Sequence, residues 1–172
     1  MTPSAASGRA PAVRSLAQAA VLIFLAVAFG AARAFFPDGI HWTGRWPTAD
    51  TSAEQAYKMM ARPSDPPFAS IAEAMALHSG GAVFIDARAT EEYQAGHIPG
   101  ARTLPFYEME AHEKAALSDL KPADRIVVYC EGVGCELSLF LGRELQARGF
   151  TDIRDFYGGF PEWQKAGLQV EK

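Results

Sequence analysis

IVVYC at residues 126–130, EGVGCE at 131–136 and LSLFLGRELQARG at 137–149 together decide the fold. The first run is apolar without alternation, as expected of a strand buried on both faces of a parallel sheet. The last is an amphipathic helix closed by Gly149. Between them, Gly132 and Gly134 permit positive φ and let backbone N–H groups turn inward. The helix that follows directs its positive end at the same spot.

The same alternation extends outward on both sides. Upstream, Ser70 with Glu73 three residues later predicts a capping box for a helix with Ile71, Met75 and Leu77 on its apolar side, stopped by Gly80-Gly81. AVFID (82–86) is a second buried strand, EEYQAG a short helix, HIPG a turn and ARTLP a further strand. YEMEAHEKAAL predicts a helix with acids in its first turn. Downstream, DIRDF is a strand and FPEWQKAG a last short helix with Pro161 in its first turn. Strands alternating with helices imply a mostly parallel sheet covered on both faces. Residues 37–67, rich in Pro, Asp, Gly and Thr, predict a linker holding one short helix, SAEQAYKMM, from Ser52.

Residues 1–36 contain no acid. SLAQAAVLIFLAVAFGAA, between Arg14 and Arg33, carries no charge, and with Ala34, Phe35 and Phe36 it approaches the roughly 20 residues that span a bilayer. Phe35, Phe36, Trp42 and Trp46 would supply an interfacial belt. A cleaved signal with Ala32-Arg33-Ala34 as its processing site competes. Because the apolar run continues past that point, the expectation is an uncleaved, single-pass membrane anchor over 1–36, with a domain over 68–172 on the extracytoplasmic (periplasmic) side. Removing Arg9, Arg14 and Arg33 from 16 basic residues leaves 13 against 20 acids. A remainder that acidic, without a basic stripe, argues against nucleic acid as a partner.

Cys130 and Cys135 are the two cysteines, five positions apart. Too few and too close for a disulfide scaffold, they point to local chemistry. Cys130 ends a strand where open α/β sheets bind ligands. An ordinary thiol pKa of ~8.5 falls to ~3.5–7.5 at helix N-termini. Free cysteine is also a common buried hydrophobe, and on the strand alone the two alternatives are even; the loop glycines and the helix start favour a nucleophile. Cys135 could resolve a modified Cys130, form a disulfide with it, or merely pack. Metal binding is the weakest alternative, with no His or Cys at ligand spacing nearby, and no cofactor is expected.

FIDAR (84–88), EEYQAGHIPGA (91–101), YC with its Gly-containing loop (129–134) and YGGFPEWQKAGLQVE (157–171) stand in the order and spacing of a rhodanese domain, which the chain from about Phe68 to Glu171 resembles. The resemblance implies an α/β fold with a five-stranded parallel sheet and helices on both faces. It implies that Cys130 takes a sulfane sulfur from a small donor such as thiosulfate, becomes a persulfide, and passes the sulfur to a thiol acceptor. Glu131, Gly132, Val133, Gly134, Cys135 and Glu136 would form the substrate-binding cradle, their amides stabilising the anionic sulfur. The loop departs from the commonest family pattern: it is two residues longer and has no Arg at its end. That longer two-cysteine loop resembles a membrane-linked bacterial subgroup. Without Arg to grip phosphate bidentately, phosphatase activity, known on this fold, is not expected.

Asp86, Arg88 and His97 are candidate supporting residues. Arg88 reads better as half of a partly buried ion pair, with Glu92 as a further partner, and His97 better as a satisfied turn histidine than as a base. Phe160 and Trp163 read as core, and Glu131 and Glu136 as solvated loop acids. Two other functions compete with sulfur transfer: a thiol–disulfide module using Cys130 and Cys135, and a rhodanese-fold binding module without catalysis.

Overall fold

A computed structural model describes residues 50–172 together with Gln18, residues 20–24 and Val27. Gln18, 20–24 and Val27 are helical, and the rest of the expected anchor lies outside the described residues. No described helix is long and apolar enough to cross a membrane.

The elements run α1 (Ala53–Met60), α2 (Ile71–Ser79), β1 (Val83–Asp86), α3 (Thr90–Ala95), β2 (Arg102–Thr103), a 3-10 turn (Phe106–Glu108), α4 (Met109–Leu117), β3 (Arg125–Tyr129), α5 (Leu137–Ala147), β4 (Asp152–Phe156) and α6 (Gly159–Lys165). All strand pairs are parallel, in the order β2-β1-β3-β4. Register is set along the centre, with Val83 beside Ile126 and Arg125 beside Asp152.

The sheet has four strands, not five. What would be the fifth is a single parallel bridge between Phe68 and Asp155. Pro66 and Pro67 have no N–H to donate, so only the Pro67 carbonyl and the Ala69 N–H bond to Asp155 (2.9 and 2.8 Å). Ser70 then caps α2 and ends the extended chain. Its hydroxyl accepts from the Glu73 N–H (3.3 Å), which is half of the expected capping box. The Glu73 carboxylate instead faces Arg154 at 3.5 Å.

Side chains alternate across the sheet as period 2 demands. Ile126, Val128 and Cys130 join Ile85, Leu141 and Leu145 in one core, under α4 and α5. Val127 and Tyr129 join Phe84, Phe156, Phe160 and Trp163 in the other, under α2 and α6. Helices therefore cover both faces, as expected.

The compact unit spans Arg45–Lys172, so the stretch expected as linker is partly built into it. Its helix α1 has the predicted start, with Ser52 and Gln55 closing a capping box. Ala56 and Tyr57 are buried with Leu139 and Tyr157, the Tyr57 hydroxyl donates to the Pro66 carbonyl, and Asp65 grips Arg143 of α5 through two bonds of 2.7 Å. Residues 50–67 read as loop from composition because a few buried side chains, not a run of them, secure them; the rest of the expected linker lies outside the described residues.

Candidate active site

Cys130 follows β3 directly, and its side chain points into the α4–α5 core with no exposed surface. The loop then rises through Gly132 and Gly134, both at φ 93°, and turns back where the Cys135 N–H bonds the Gly132 carbonyl at 2.8 Å. That turn returns the second cysteine towards the first. The Cys130 Sγ lies 3.1 Å from the Cys135 carbonyl oxygen, and neither cysteine is in a disulfide. Cys135 is half-buried.

Helix α5 begins without a side-chain cap and without an acid in its first turn. Its first amides are thus left to the sulfurs, as orphan donors at a helix start must find some partner. The amides of Leu137 and Glu131 favour the thiolate of Cys135, and the Ser138 amide favours that of Cys130.

The electrostatics differ from the sequence-based expectation in one respect. A hydrogen bond from the Cys130 thiol, ahead of the opposing cost of burial, lowers the Cys135 thiol to about 6. Burial, followed by the charge of Cys135, pushes the Cys130 thiol up. Loop amides and helix end do favour a thiolate, but at Cys135 rather than at Cys130. Cys130 is enclosed in the core under α4 and α5. Two neighbouring thiols titrate as a pair.

Glycines bring a second loop against the first. The Phe160 N–H donates to the Cys130 carbonyl at 2.9 Å. A Cβ on Gly132 would stand 2.6 Å from the Gly158 carbonyl oxygen, and one on Gly159 would overlap the Cys130 carbonyl. The two backbones touch directly, which explains why YGGF accompanies YC in the sequence.

Asp86 and Arg88 are brought together at the end of β1. Arg88 is 4% exposed. Its Nη2 donates to Asp86 Oδ2 at 2.7 Å and to the Gly96 carbonyl at 2.8 Å, and its guanidinium carbon sits 4.2 Å from the centre of the Phe160 ring. Nη1 reaches Glu131 Oε2 at 3.3 Å. The expected ion pair of Asp86 and Arg88 is present; Glu92 is not its further partner, because it turns back to accept from the Ala89 N–H (3.0 Å). Arg88 thereby fastens the first residue of the cysteine loop to the end of β1. His97 stacks on Tyr93 at 3.8 Å and bonds the Tyr93 carbonyl through Nδ1 at 2.9 Å, as a satisfied turn histidine should. Trp163 packs on Phe84 and donates to the Gln169 carbonyl, a core role.

Two residues near the site were not singled out from sequence. Ser138 is fully buried and acts on Cys130. Asp155, on β4 beside Val128, is fully buried, and burial pushes its carboxyl up to about 8. Alternation puts Asp155 on the face of Ile153, but a carboxyl in DIRDF carries no signal of burial by its residue type. On the loop's outer side, Gly132, Val133, Pro161 and Glu162 border an open depression of about 650 Å³.

A family model described as the rhodanese-like domain matches residues 70–166. The chain is 35% identical over 98 residues to the human thiosulfate:glutathione sulfurtransferase, covering 51% of this chain and 83% of that protein. It is 30% identical over 114 residues to thiosulfate sulfurtransferase 16 of Arabidopsis thaliana, covering 62% and 93%. An HTH-type transcriptional regulator of Mycobacterium tuberculosis is 35% identical over 94 residues, and there the chain spans only 39% of the relative's length. Among solved structures, the human single-domain sulfurtransferase TSTD1 superposes with a TM-score of 0.51 at 30% identity, over 58% of this chain and 96% of that one.

Proposed function

Because the chain belongs to the rhodanese-like domain family, we propose that it is a sulfurtransferase carrying sulfane sulfur as a persulfide on Cys130. The observation that supports this most directly is the Cys130 thiol held against the returning backbone of Cys135, at the carboxyl end of β3 beneath an uncapped helix start. Relatives named as thiosulfate sulfurtransferases suggest a thiosulfate-like donor and a thiol acceptor.

In the proposed step Cys130 gives its proton to the Cys135 thiolate and attacks the outer sulfur of the donor. The sulfur–sulfur bond of thiosulfate breaks, sulfite leaves with its electron pair, and Cys130 holds the added sulfur. The Ser138 amide and hydroxyl stabilise the charge that develops on Cys130. Asp86 and Arg88 act as positioning residues, through Glu131. The cradle of 131–136 offers amides and no guanidinium, so its grip on a dianion is weaker than a bidentate Arg would give.

Incubating the full chain with thiosulfate and with an organic thiosulfonate, then mapping the cysteine peptide by mass, tests the proposal. One added sulfur on Cys130, absent in Cys130→Ala, is the expected result. No adduct with either donor overturns it.

The half-buried, low-pKa Cys135 favours a second function, a thiol–disulfide module. Cys135→Ser separates the two. Sulfur uptake persists, with its pH profile moved upward because Cys130 must then ionise unaided, whereas redox cycling disappears.

We also propose that residues 1–36 anchor the chain, with its rhodanese domain outside the cytoplasm. A reporter fused after Lys172 that is active only in the cytoplasm would refute that topology.

A further inference from the structure

We infer that Cys135 resolves the Cys130 persulfide inside the loop, releasing hydrosulfide and leaving a Cys130–Cys135 disulfide, so that the chain reduces persulfides as well as transferring sulfur. The inference rests on the sulfurtransferase assignment and deepens it.

Three observations carry it. First, the two residues are already in contact: the Cys130 Sγ is 3.1 Å from the Cys135 carbonyl, and the turn from Gly132 to Cys135 holds them so. A nucleophile held beside its target acts at an effective concentration far above that of any small thiol in solution. Second, attack on the inner sulfur must reach Cys130 Sγ, which has no exposed surface, and the half-buried Cys135 lies beside it. Third, Glu131 and Glu136 flank the loop, and the Glu131 side chain is about half exposed. Their charge opposes the approach of anionic thiolates. The resident thiolate has no such approach to make.

The step balances. The Cys135 thiolate attacks Cys130 Sγ, the inner sulfur of the protonated persulfide. A sulfur–sulfur bond forms between the two cysteines, the bond to the outer sulfur breaks, and hydrosulfide leaves carrying the electron pair and the proton. One negative charge enters and one leaves. The sulfane sulfur is reduced and the two cysteines are oxidised. Two equivalents of a small thiol, attacking at the more exposed Cys135 sulfur, return the pair to its reduced state.

The test uses the reduced full chain, one equivalent of thiosulfate, no added thiol and no oxygen. Sulfide release is measured, and the peptide holding both cysteines is weighed. The expected result is one sulfide per sulfur taken up, with the peptide two hydrogens lighter than its reduced form. Cys135→Ser, loaded at the higher pH its uptake requires, keeps the persulfide on Cys130 and releases at least about tenfold less sulfide per sulfur taken up. A persulfide that persists on Cys130 beside an intact Cys135 thiol overturns this step alone. Failure of any cysteine to take up sulfur overturns the transfer assignment, and this step with it.

Discussion

The ends of β1 and β3 are neighbours on the carboxyl edge of one sheet, with Asp86 beside Tyr129 in register, yet they hold charge in opposite ways. After β1, a buried carboxylate meets a buried guanidinium through three bonds of 2.7 to 3.2 Å. After β3, a buried thiol meets a half-buried thiolate, with backbone amides and no cation to neutralise it. The first arrangement is electrically closed and holds the second in place through Glu131. The second leaves a reactive electron pair uncompensated. The contrast shows how one sheet edge divides its work: one loop supplies rigidity so that its neighbour can remain reactive.

The strongest way to break this division is at β1. Arg88→Ala leaves Asp86 buried without its counter-charge, and unfolding by urea should show a loss of about 3–5 kcal/mol. Arg88→Lys recovers only part of that, since an ammonium cannot serve Asp86, Gly96 and Glu131 with a planar fork. Next comes the contact beneath the cysteine loop. Gly159→Ala places a methyl against the Cys130 carbonyl at φ 64°, so a loss of roughly 2–4 kcal/mol is expected, with sulfur uptake reduced more than in a surface variant of equal stability.

A third variant sharpens the comparison on the β4 side. The folded-state pKa of Asp155 is raised to about 8 from 3.8, so the folded state holds a proton that the unfolded state has released between those values. Its contribution to stability is therefore full at low pH and declines as pH climbs from about 4 to about 8. Asp155→Asn removes that slope. Thermal unfolding of wild type and variant should diverge steadily as pH rises from about 4 to about 8, in the variant's favour. The smallest effect is at the link between the loops. Glu131 is half exposed and its contact with Arg88 is long at 3.3 Å, so Glu131→Gln should change stability by less than about 1 kcal/mol. It should quicken sulfur uptake from an anionic donor, and added salt should erase the gain.

Much of this was legible in the sequence. Unbroken apolar runs in AVFID and IVVYC marked the central strands, and Gly149 and the acids of YEMEAHEKAAL marked helix ends, because these features act within a few residues. The position of Cys130 after β3 and the glycines of its loop were legible for the same reason. The order of ionisation was not. It depends on a turn that places Cys135 under the first amides of α5, and on the cores that close over Cys130 from distant parts of the chain. Glu92 was a reasonable partner for Arg88 at helical spacing, but Arg88 precedes α3 and so has no helical neighbour four residues on. The missing fifth strand was visible as Pro66-Pro67, had backbone donors been counted there.

Those two prolines have a consequence for how copies of the protein meet one another. β4 is an edge strand, and an exposed edge invites a strand from another molecule. Here the segment lying along it makes one bridge at Phe68 and then presents imino nitrogens that cannot donate. At the opposite edge β2 is two residues long, too short to nucleate a ladder. Among the described residues, neither margin of the sheet offers a long template for edge-to-edge growth.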